Sequence, residues 1–330
     1  MVLVEIAAGN QTGIGYTYAS EAAATVIEKS FSKLLEGRNA LANLGIWLWM
    51  RSQVRNIGRP GVASMAISAV DNALWDLKAK LLEVPLAVLL GNSRNRIEIY
   101  GSGGFTSYSI PQLQKQLGGW ASQGIRMVKM KVGSQPEQDV ERVRAARDAV
   151  GQKVQLFVDA NGAYSRKQAL DMADRFAKFD VSWFEEPVSS DDLDGLHLIR
   201  DGAPSGMEIA AGEYGFDEYY FRRMLEAGAV DVLQADATRC EGITGFMIAG
   251  SLAESFQIPF SAHTAPSVHL HACCALPAFR HIEYFHDHAR IEQMFFDGAA
   301  VAADGLLAPD LSRPGLGIEL KRKQVQRFAA

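Results

Sequence analysis

The chain has 330 residues, of which 48% are hydrophobic, and its 33 basic and 38 acidic residues give a net charge of −5. Since it contains neither a basic run nor an apolar stretch near the ~18 residues of a membrane span, we expect no nucleic-acid or membrane partner. The first residues do not resemble a secretory signal, and an odd set of three cysteines, Cys240, Cys273 and Cys274, forms no disulfide framework, which predicts a cytoplasmic protein.

The first 95 residues combine strand and helix patterns. Strand-like sequences at Val2–Ile6 and Ile14–Tyr18 flank a turn that contains two glycines. Helical patterns follow at Glu21–Leu35, Asn43–Arg51 and Ser64–Leu82, and the last has the three- and four-residue apolar spacing of a buried helix. We therefore expect residues 1–95 to form a separate α+β domain.

From Ile97 onward, short apolar or β-branched runs alternate with amphipathic helical patterns. The runs are Ile97–Tyr100, Met127–Met130, Val154–Val158, Ser182–Phe184, Glu208–Ala211, Asp231–Gln234, Ile258–Ser261 and Arg280–Ile282. The helical stretches include Gln138–Ala149, Arg166–Phe179, Tyr219–Glu226 and Gly245–Phe256. Eight such units in about 200 residues predict an α/β fold, a closed (β/α) barrel over residues 96–306. Residues 307–330, rich in proline and glycine, are expected to pack back on the N-terminal domain.

Seven successive runs lead into an ionisable residue. These residues, spaced 20 to 28 positions apart, are Lys131, Asp159, Glu185, Glu213, Asp236, His263 and Glu283. A single strand often ends in a charged residue because the chain meets water there. Seven in succession are better explained by a site, since the carboxyl ends of barrel strands converge on one mouth.

Three of these residues are carboxylates on consecutive strands. Asp159, Glu185 and Glu213 would raise one another's pKa unless a cation compensates. An all-oxygen ligand set suits Mg²⁺ better than Zn²⁺ and leaves positions for water and substrate. Glu186 is an alternative to Glu185, because adjacent strand residues point to opposite sides and only one of the pair would face the mouth.

The remaining groups indicate proton transfer. Lys129 and Lys131 lie two residues apart and share one face of their strand. Asp236 and His263 lie on neighbouring strands, where a carboxylate can orient and charge an imidazole. A metal between two opposed proton-transfer groups predicts removal of a proton next to a carboxylate. As the base, Lys131 would need a lowered pKa, which Lys129 and the metal would supply.

At these residues the sequence resembles the enolase superfamily, specifically its mandelate racemase subgroup. The resemblance covers nearly the whole chain and is carried by these motifs: Lys129-Met130-Lys131, Val158-Asp159-Ala160-Asn161, Phe184-Glu185-Glu186-Pro187, Gly212-Glu213, Asp236 with His263, and Glu283. Ser68–Asp76 is similar to the helix that joins the family's capping domain to its barrel. The related muconate-lactonizing subgroup has a lysine at the end of strand six, where this chain has Ala235-Asp236-Ala237.

The resemblance implies a modified (β/α)7β TIM barrel with an N-terminal capping domain that is truncated at its start, since the family's domain begins some tens of residues earlier. It also implies homo-oligomers, dimers or octamers. For the site it implies Mg²⁺ held by Asp159, Glu185 and Glu213, with Lys131 and the Asp236-oriented His263 as opposed acid/base groups. The residues it implies around the substrate carboxylate and the metal are Lys129, Glu283, Ser102 and Asn161.

Several functions share such a site. Loss of the 3-hydroxyl after proton removal would make the chain an acid-sugar dehydratase that produces a 2-keto-3-deoxy acid, the interpretation we place first. Reprotonation on the opposite face would make it a racemase or epimerase of a 2-hydroxy acid. A third alternative is a catalytically silent protein that binds sugar acids. The histidine-rich segment Tyr284–His288 is either a solvated loop, the simpler interpretation, or a reader of a substrate hydroxyl.

Overall fold

The computed structural model describes residues 1–328. Its N-terminal part begins with an antiparallel hairpin of β1 (Val2–Ala8) and β2 (Gln11–Thr17). Helices follow at α1 (Glu21–Val26), α2 (Ser32–Leu35), α3 (Asn43–Gln53), α4 (Val62–Leu81) and α5 (Leu86–Leu90). The single helix predicted for residues 21–35 is divided, because a π-helical turn at Ile27–Phe31 separates α1 from α2.

The hairpin lies directly on α4, and two glycines make the close approach possible. A Cβ atom at Gly13 would lie 2.2 Å from the carbonyl oxygen of Ala73, and one at Gly15 would lie 2.2 Å from that of Ala69. Neither distance can be met by a real side chain, so only glycine allows this strand to contact the helix backbone. The hairpin is thereby fixed on the helix that also contacts the barrel.

Eight parallel strands form a closed barrel. They are β3 (Ile97–Gly103), β4 (Met127–Lys131), β5 (Gln155–Asp159), β6 (Val181–Glu185), β7 (Glu208–Ala211), β8 (Val232–Ala235), β9 (Phe260–Ala262) and β10 (Phe279–Phe285). Each strand pairs with the next, and β10 pairs with β3 to close the ring. The predicted α/β fold, a modified TIM barrel with an N-terminal α+β domain, is confirmed.

Helices cover the outside of the barrel after every strand. They are α6 (Ile110–Ser122), α7 (Pro136–Val150), α8 (Arg166–Ala177), α9 (Leu193–Gly202), α10 (Glu218–Glu226), α11 (Gly242–Ser255), α12 (Pro266–Ala275) and α13 (His286–Phe295). Within residues 1–328, no helix has both the length and the apolar character needed to cross a membrane.

The C-terminal segment returns to the N-terminal part. It contains β11 (Phe296–Asp297), β12 (Leu306–Leu307), β13 (Glu319–Leu320) and α14 (Arg322–Val325). The N–H of Leu316 donates to Asp76 in α4 at 2.7 Å, and the N–H of Leu86 donates to the carbonyl of Gly315 at 2.7 Å. These contacts join the C-terminal segment to the N-terminal part. The division of the chain into domains of residues 1–95, 96–306 and 307–330 stays a proposal.

Candidate active site

Three carboxylates meet at the carboxyl end of the barrel. Asp159 and Glu185 close β5 and β6 and are paired in register, and Glu213 follows β7. One carboxylate oxygen from each lies within 4.8 Å of the others, and all three residues are buried. Gly212, with φ +135°, makes the turn before Glu213, since a Cβ there would lie 2.0 Å from the carbonyl oxygen of Gln234.

Two lysines from β4 contact this carboxylate triad. The Nζ atom of Lys129 has no solvent exposure and lies 2.6 Å from Glu185, 2.8 Å from Glu283 and 3.3 Å from Asp159. Lys131 forms an ion pair with Asp159 and keeps some side-chain exposure. Lys129 and Lys131 thus share one face, as the two-residue spacing predicts.

The charges around Lys131 act on its pKa in opposite directions. Burial lowers the pKa of Lys131, and so does neighbouring Lys129, but Asp159 and the other carboxylates outweigh them, and the net pKa is raised. The predicted lowering of this pKa depends on a cation that compensates the triad as well as on Lys129, and it stays a prediction.

His263 and Asp236 form the second proton-transfer group. The His263 Nδ1 atom lies 2.9 Å from Asp236 Oδ2, and its Nε2 atom lies 3.1 Å from Glu213 Oε2. Burial lowers the pKa of His263, but Glu213 and Asp236 raise it to about 10 overall. Lys131 contacts the triad at Asp159, and His263 contacts it at Glu213. The two groups therefore approach the triad at different carboxylates and from different strands.

Glu283 and Ser102 lie beside Lys129. Glu283 was predicted to close its strand, and this is wrong. The strand β10 continues to Phe285 and pairs with β3 over these residues. Burial would raise the pKa of Glu283, but Lys129 and His263 lower it to about 2, so its carboxylate accepts hydrogen bonds and does not donate them. Ser102 is fully buried, and its Oγ atom has no hydrogen-bond partner in the described part of the chain.

Asn161 and Glu186 occupy left-handed backbone conformations immediately after the triad strands. The exposed Asn161, with φ +44°, donates its backbone N–H to Asp159 Oδ1 at 2.9 Å, so its support of the triad is made by the main chain. Glu186 has φ +41°, which interrupts strand alternation. Its side chain is buried, and burial together with the nearby Glu213 and Asp159 raises its pKa well above the usual value, so both glutamates of the pair lie beside the site.

The backbone behind His263 is also strained. Thr264 and Ala265 have φ values of +52° and +39°, and Pro266 then begins α12. Such conformations cost of order 1–3 kcal/mol each in residues with a side chain, and they persist where the surroundings enforce them. Here the Thr264 N–H donates to Glu283 at 3.2 Å, which links the kink to the neighbouring strand.

Sequence reasoning missed Arg239 and the aromatic floor of the site. The Arg239 guanidinium lies 3.6 Å from Glu213 and 3.7 Å from Asp236. Arg239 follows Asp236 by three positions in the sequence, and a cation so close to a strand end is the signal that could have found it. Below the triad, the Trp183 indole donates to Glu185 at 3.0 Å, and Lys129 lies over the ring of Tyr100. These contacts fix the charged groups from below.

The segment Tyr284–His288 is not a solvated loop. Tyr284 and Phe285 belong to β10, and His286–His288 form the first turn of α13. The His288 ring stacks on Tyr18 with 3.4 Å between ring centroids and an interplanar angle of 10°. The residue is half-buried because the N-terminal domain covers it, a contact that the sequence pattern alone does not reveal.

Comparisons with known proteins agree with this geometry. Residues 1–91 match the family model "Mandelate racemase / muconate lactonizing enzyme, N-terminal domain", and residues 112–324 match "Enolase C-terminal domain-like". The 3,6-anhydro-alpha-L-galactonate cycloisomerase of Streptomyces coelicolor is 34% identical over 96% of this chain and 88% of its own length. The arabinonate dehydratase of Saccharolobus solfataricus is 30% identical over 92% of this chain and 82% of its own.

Solved structures extend the similarity. A mandelate racemase/muconate lactonizing enzyme-like protein from Rubrobacter xylanophilus has a TM-score of 0.97 and 53% identity, covering 99% of this chain and 91% of that one. A racemase from Streptomyces coelicolor A3(2) with bound magnesium has a TM-score of 0.93 and 31% identity, with the same coverages. The chain therefore belongs to the enolase superfamily and, within it, to the mandelate racemase subgroup, as its motifs predict.

Proposed function

We propose that this protein is a Mg²⁺-dependent enzyme that removes the proton next to the carboxylate of a sugar acid and then eliminates water from C3. The observation that carries the proposal is the placement of Lys131 and the Asp236–His263 pair against different members of one buried carboxylate triad. Binding alone does not require two such groups, whereas proton removal followed by departure of a leaving group requires both a base and an acid.

The triad suits a hard divalent cation. Asp159, Glu185 and Glu213 offer only oxygen atoms, lie within one coordination sphere of each other and are buried, and the lysine and imidazole contacts show that they attract positive charge. The solved relative that contains bound magnesium favours Mg²⁺. When bound there, Mg²⁺ supplies positive charge that stabilises the negative charge developing on the substrate oxygens.

The chain's own residues would divide the remaining work. Lys129, which is enclosed and cationic, would bind the substrate carboxylate together with Ser102, whose hydroxyl lacks a partner among residues 1–328. With the charge of Asp159 compensated by the bound cation, Lys131 would lose the attraction that raises its pKa, and its neutral amine would take the C2 proton, leaving the electron pair of the C–H bond in an enediolate. The His263 imidazolium would give its Nε2 proton to the departing 3-hydroxyl, which leaves as water. Tautomerisation of the resulting enol gives the 2-keto-3-deoxy acid.

Glu283 and Asn161 would support this arrangement. An ionised Glu283 repels a substrate carboxylate, so it would need to take up a proton from solvent as the substrate binds, and it would then donate a hydrogen bond to that carboxylate as charge builds on the substrate. The backbone N–H of Asn161 already holds Asp159 in place, and its exposed side chain is free to contact the substrate.

A second candidate reaction differs only in the leaving group. Similarity to a 3,6-anhydro-alpha-L-galactonate cycloisomerase favours it. A 3,6-anhydro sugar acid presents a ring ether oxygen at C3, and His263 would protonate that oxygen in place of a hydroxyl. Epimerisation, which needs no leaving group, uses the same two proton-transfer groups and is distinguished by its product. The oligomeric state and the cytoplasmic location stay predictions.

Deuterium incorporation tests the proposal. The protein, with Mg²⁺ in D₂O, is mixed with mono- and diacid sugars, 3,6-anhydro acids and small 2-hydroxy acids and is followed by proton NMR. Loss of an α-proton signal with a new 3-deoxy methylene is the expected result, and exchange at C2 without elimination indicates an epimerase. Lys131→Ala and His263→Ala should abolish the reaction, while Lys167→Ala, at an exposed position on α8, should not. Parent-like exchange in Lys131→Ala, parent-like elimination in His263→Ala, or no exchange by the parent refutes the proposal.

A further inference from the structure

One side of the barrel mouth is a wall built from both domains. His288, in the first turn of α13, stacks on Tyr18, which directly follows β2 of the N-terminal domain. The ring of Phe285, at the end of β10, meets His288 edge-on with 5.1 Å between centroids. Three aromatic rings from distant parts of the sequence thus form a continuous surface beside the site.

A buried carboxyl group holds this wall in place. Glu292, four residues after His288 on α13, accepts a hydrogen bond from the Tyr16 hydroxyl at 2.6 Å and one from the Ser267 N–H at 3.0 Å. The Tyr18 hydroxyl lies 3.5 Å from the same carboxylate. Glu292 thus connects α13 with β2 and α12. Because His288 lies one turn before Glu292 on α13, these hydrogen bonds also hold His288 against the N-terminal domain.

His288 has hydrogen-bonding capacity that the fold does not use. Within the described residues 1–328, its Nδ1 atom is fully buried without a hydrogen-bond partner, whereas its Nε2 atom is not among the fully buried unpaired atoms and so stays accessible at the mouth. An unpaired N–H is costlier to bury than an unpaired lone pair, so the tautomer with hydrogen on Nε2 is favoured. Burial lowers the pKa of His288 to about 3, as does His263, which keeps the ring neutral, and the nearby charges are those of the site.

The direction of the substrate follows from the proposed reaction. Lys129 would hold C1, Lys131 would act at C2 and His263 at the C3 leaving group, so the carbon atoms beyond C3 continue past His263. His288 begins the helix that directly follows β10, the strand that carries Glu283, so it lies at the same carboxyl-end mouth as His263 and carries the uncharged polar group of the aromatic wall there.

We infer that His288, stacked on Tyr18, is a specificity-determining residue that donates a hydrogen bond from Nε2 to an oxygen beyond C3 of the sugar acid. The inference rests on the proposed function. A site with a group placed for a hydroxyl discriminates strongly against molecules that lack the hydroxyl, because the buried polar group is then left unpaired. The residue would therefore select long, hydroxyl-bearing acids over short ones.

A comparison of long and short acids in two variants tests this. His288→Phe keeps the stacked ring and removes the donor. His286→Phe is the matched control, because His286 lies on the same helical turn, pairs with Asp287 at 3.1 Å and keeps 40% of its side chain exposed. The long probe is whichever of gluconate, galactonate and arabinonate the parent converts best. The short probe, measured as substrate or competitive inhibitor, is glycerate, which has the same groups at C1 to C3.

The expected result is specific to chain length. His288→Phe should lower kcat/KM for the long acid by about tenfold or more, mainly through KM, and leave glycerate within twofold of the parent. His286→Phe should change neither. Equal losses on both acids, or no loss on either, would overturn the inference while leaving the proposed function intact. A parent that exchanges no α-proton would overturn both. Thermal unfolding and Mg²⁺ titration of each variant separate these results from misfolding or metal loss.

Discussion

Glu292 provides a test of the structure that does not depend on the reaction. This carboxyl group has no solvent exposure and is held by two hydrogen bonds, from Tyr16 and Ser267. Burial raises its pKa from 4.5 to about 7, against the opposing effect of the hydrogen bonds. The folded chain therefore keeps the Glu292 proton at pH values where the unfolded chain releases it.

The sign and size of the effect follow from that difference. Between pH 4.5 and 7 the folded state binds one more proton at this group than the unfolded state, so the free energy of unfolding falls as the pH rises. A shift of this size corresponds to about 3 kcal/mol over the interval, at about 1.4 kcal/mol per pH unit. Below pH 4.5 and above pH 7 the contribution of Glu292 is constant.

Glu292→Gln removes the titration and keeps the shape, since the amide can accept from the Ser267 N–H and donate to the Tyr16 oxygen. Urea unfolding from pH 4.5 to 8 should show that the parent loses about 3 kcal/mol more than the variant over this range. Other buried acids, such as Asp71, titrate in both proteins and cancel in the difference. Glu254→Gln, at an exposed position on α11, is the control and should keep the parent's slope. Parallel pH curves for parent and Glu292→Gln would refute the reasoning.

Three further predictions concern the site and the fold. Asp159→Asn should weaken Mg²⁺ binding at least about tenfold by calorimetry, and an unchanged dissociation constant would contradict its role as a ligand. Asp236→Asn should lower turnover by about 10²–10⁴ with Mg²⁺ affinity retained, because His263 loses the carboxylate that orients it, and parent-like turnover would exclude that role. Gly15→Ala should destabilise the fold by about 1–3 kcal/mol or more, because its Cβ would lie 2.2 Å from a backbone oxygen of α4, and an unchanged thermal midpoint would contradict that packing.

The strand-end residues could be predicted from the sequence because their information is local. An apolar run followed by Asp159 or Glu185 shows where a strand ends, and barrel closure then brings these ends together without any knowledge of side-chain contacts. Glu186 could not be assigned in this way. Its direction is set by a left-handed turn, whereas the prediction assumed that the strand alternation continues.

The aromatic wall could not be predicted, because its contacts are long-range. Tyr18 and Glu292 are 274 positions apart, and neither belongs to a motif that signals the other. The composition of the histidine-rich segment indicates polarity and therefore favours a solvated loop. Coverage by the N-terminal domain decides the burial of His288, and that coverage depends on how two domains pack.

The left-handed residues at the barrel mouth bear on attempts to improve this protein. Asn161, Glu186, Thr264 and Ala265 all follow strands that carry site groups, and each holds a conformation that glycine adopts with less strain. Replacement of these residues by glycine would relieve the backbone strain, so laboratory evolution that selects only for heat resistance would find some of its stabilising substitutions at these positions. The same replacements would loosen the backbone that aims His263 and Asp159. A screen for durable variants should therefore monitor turnover from its first round.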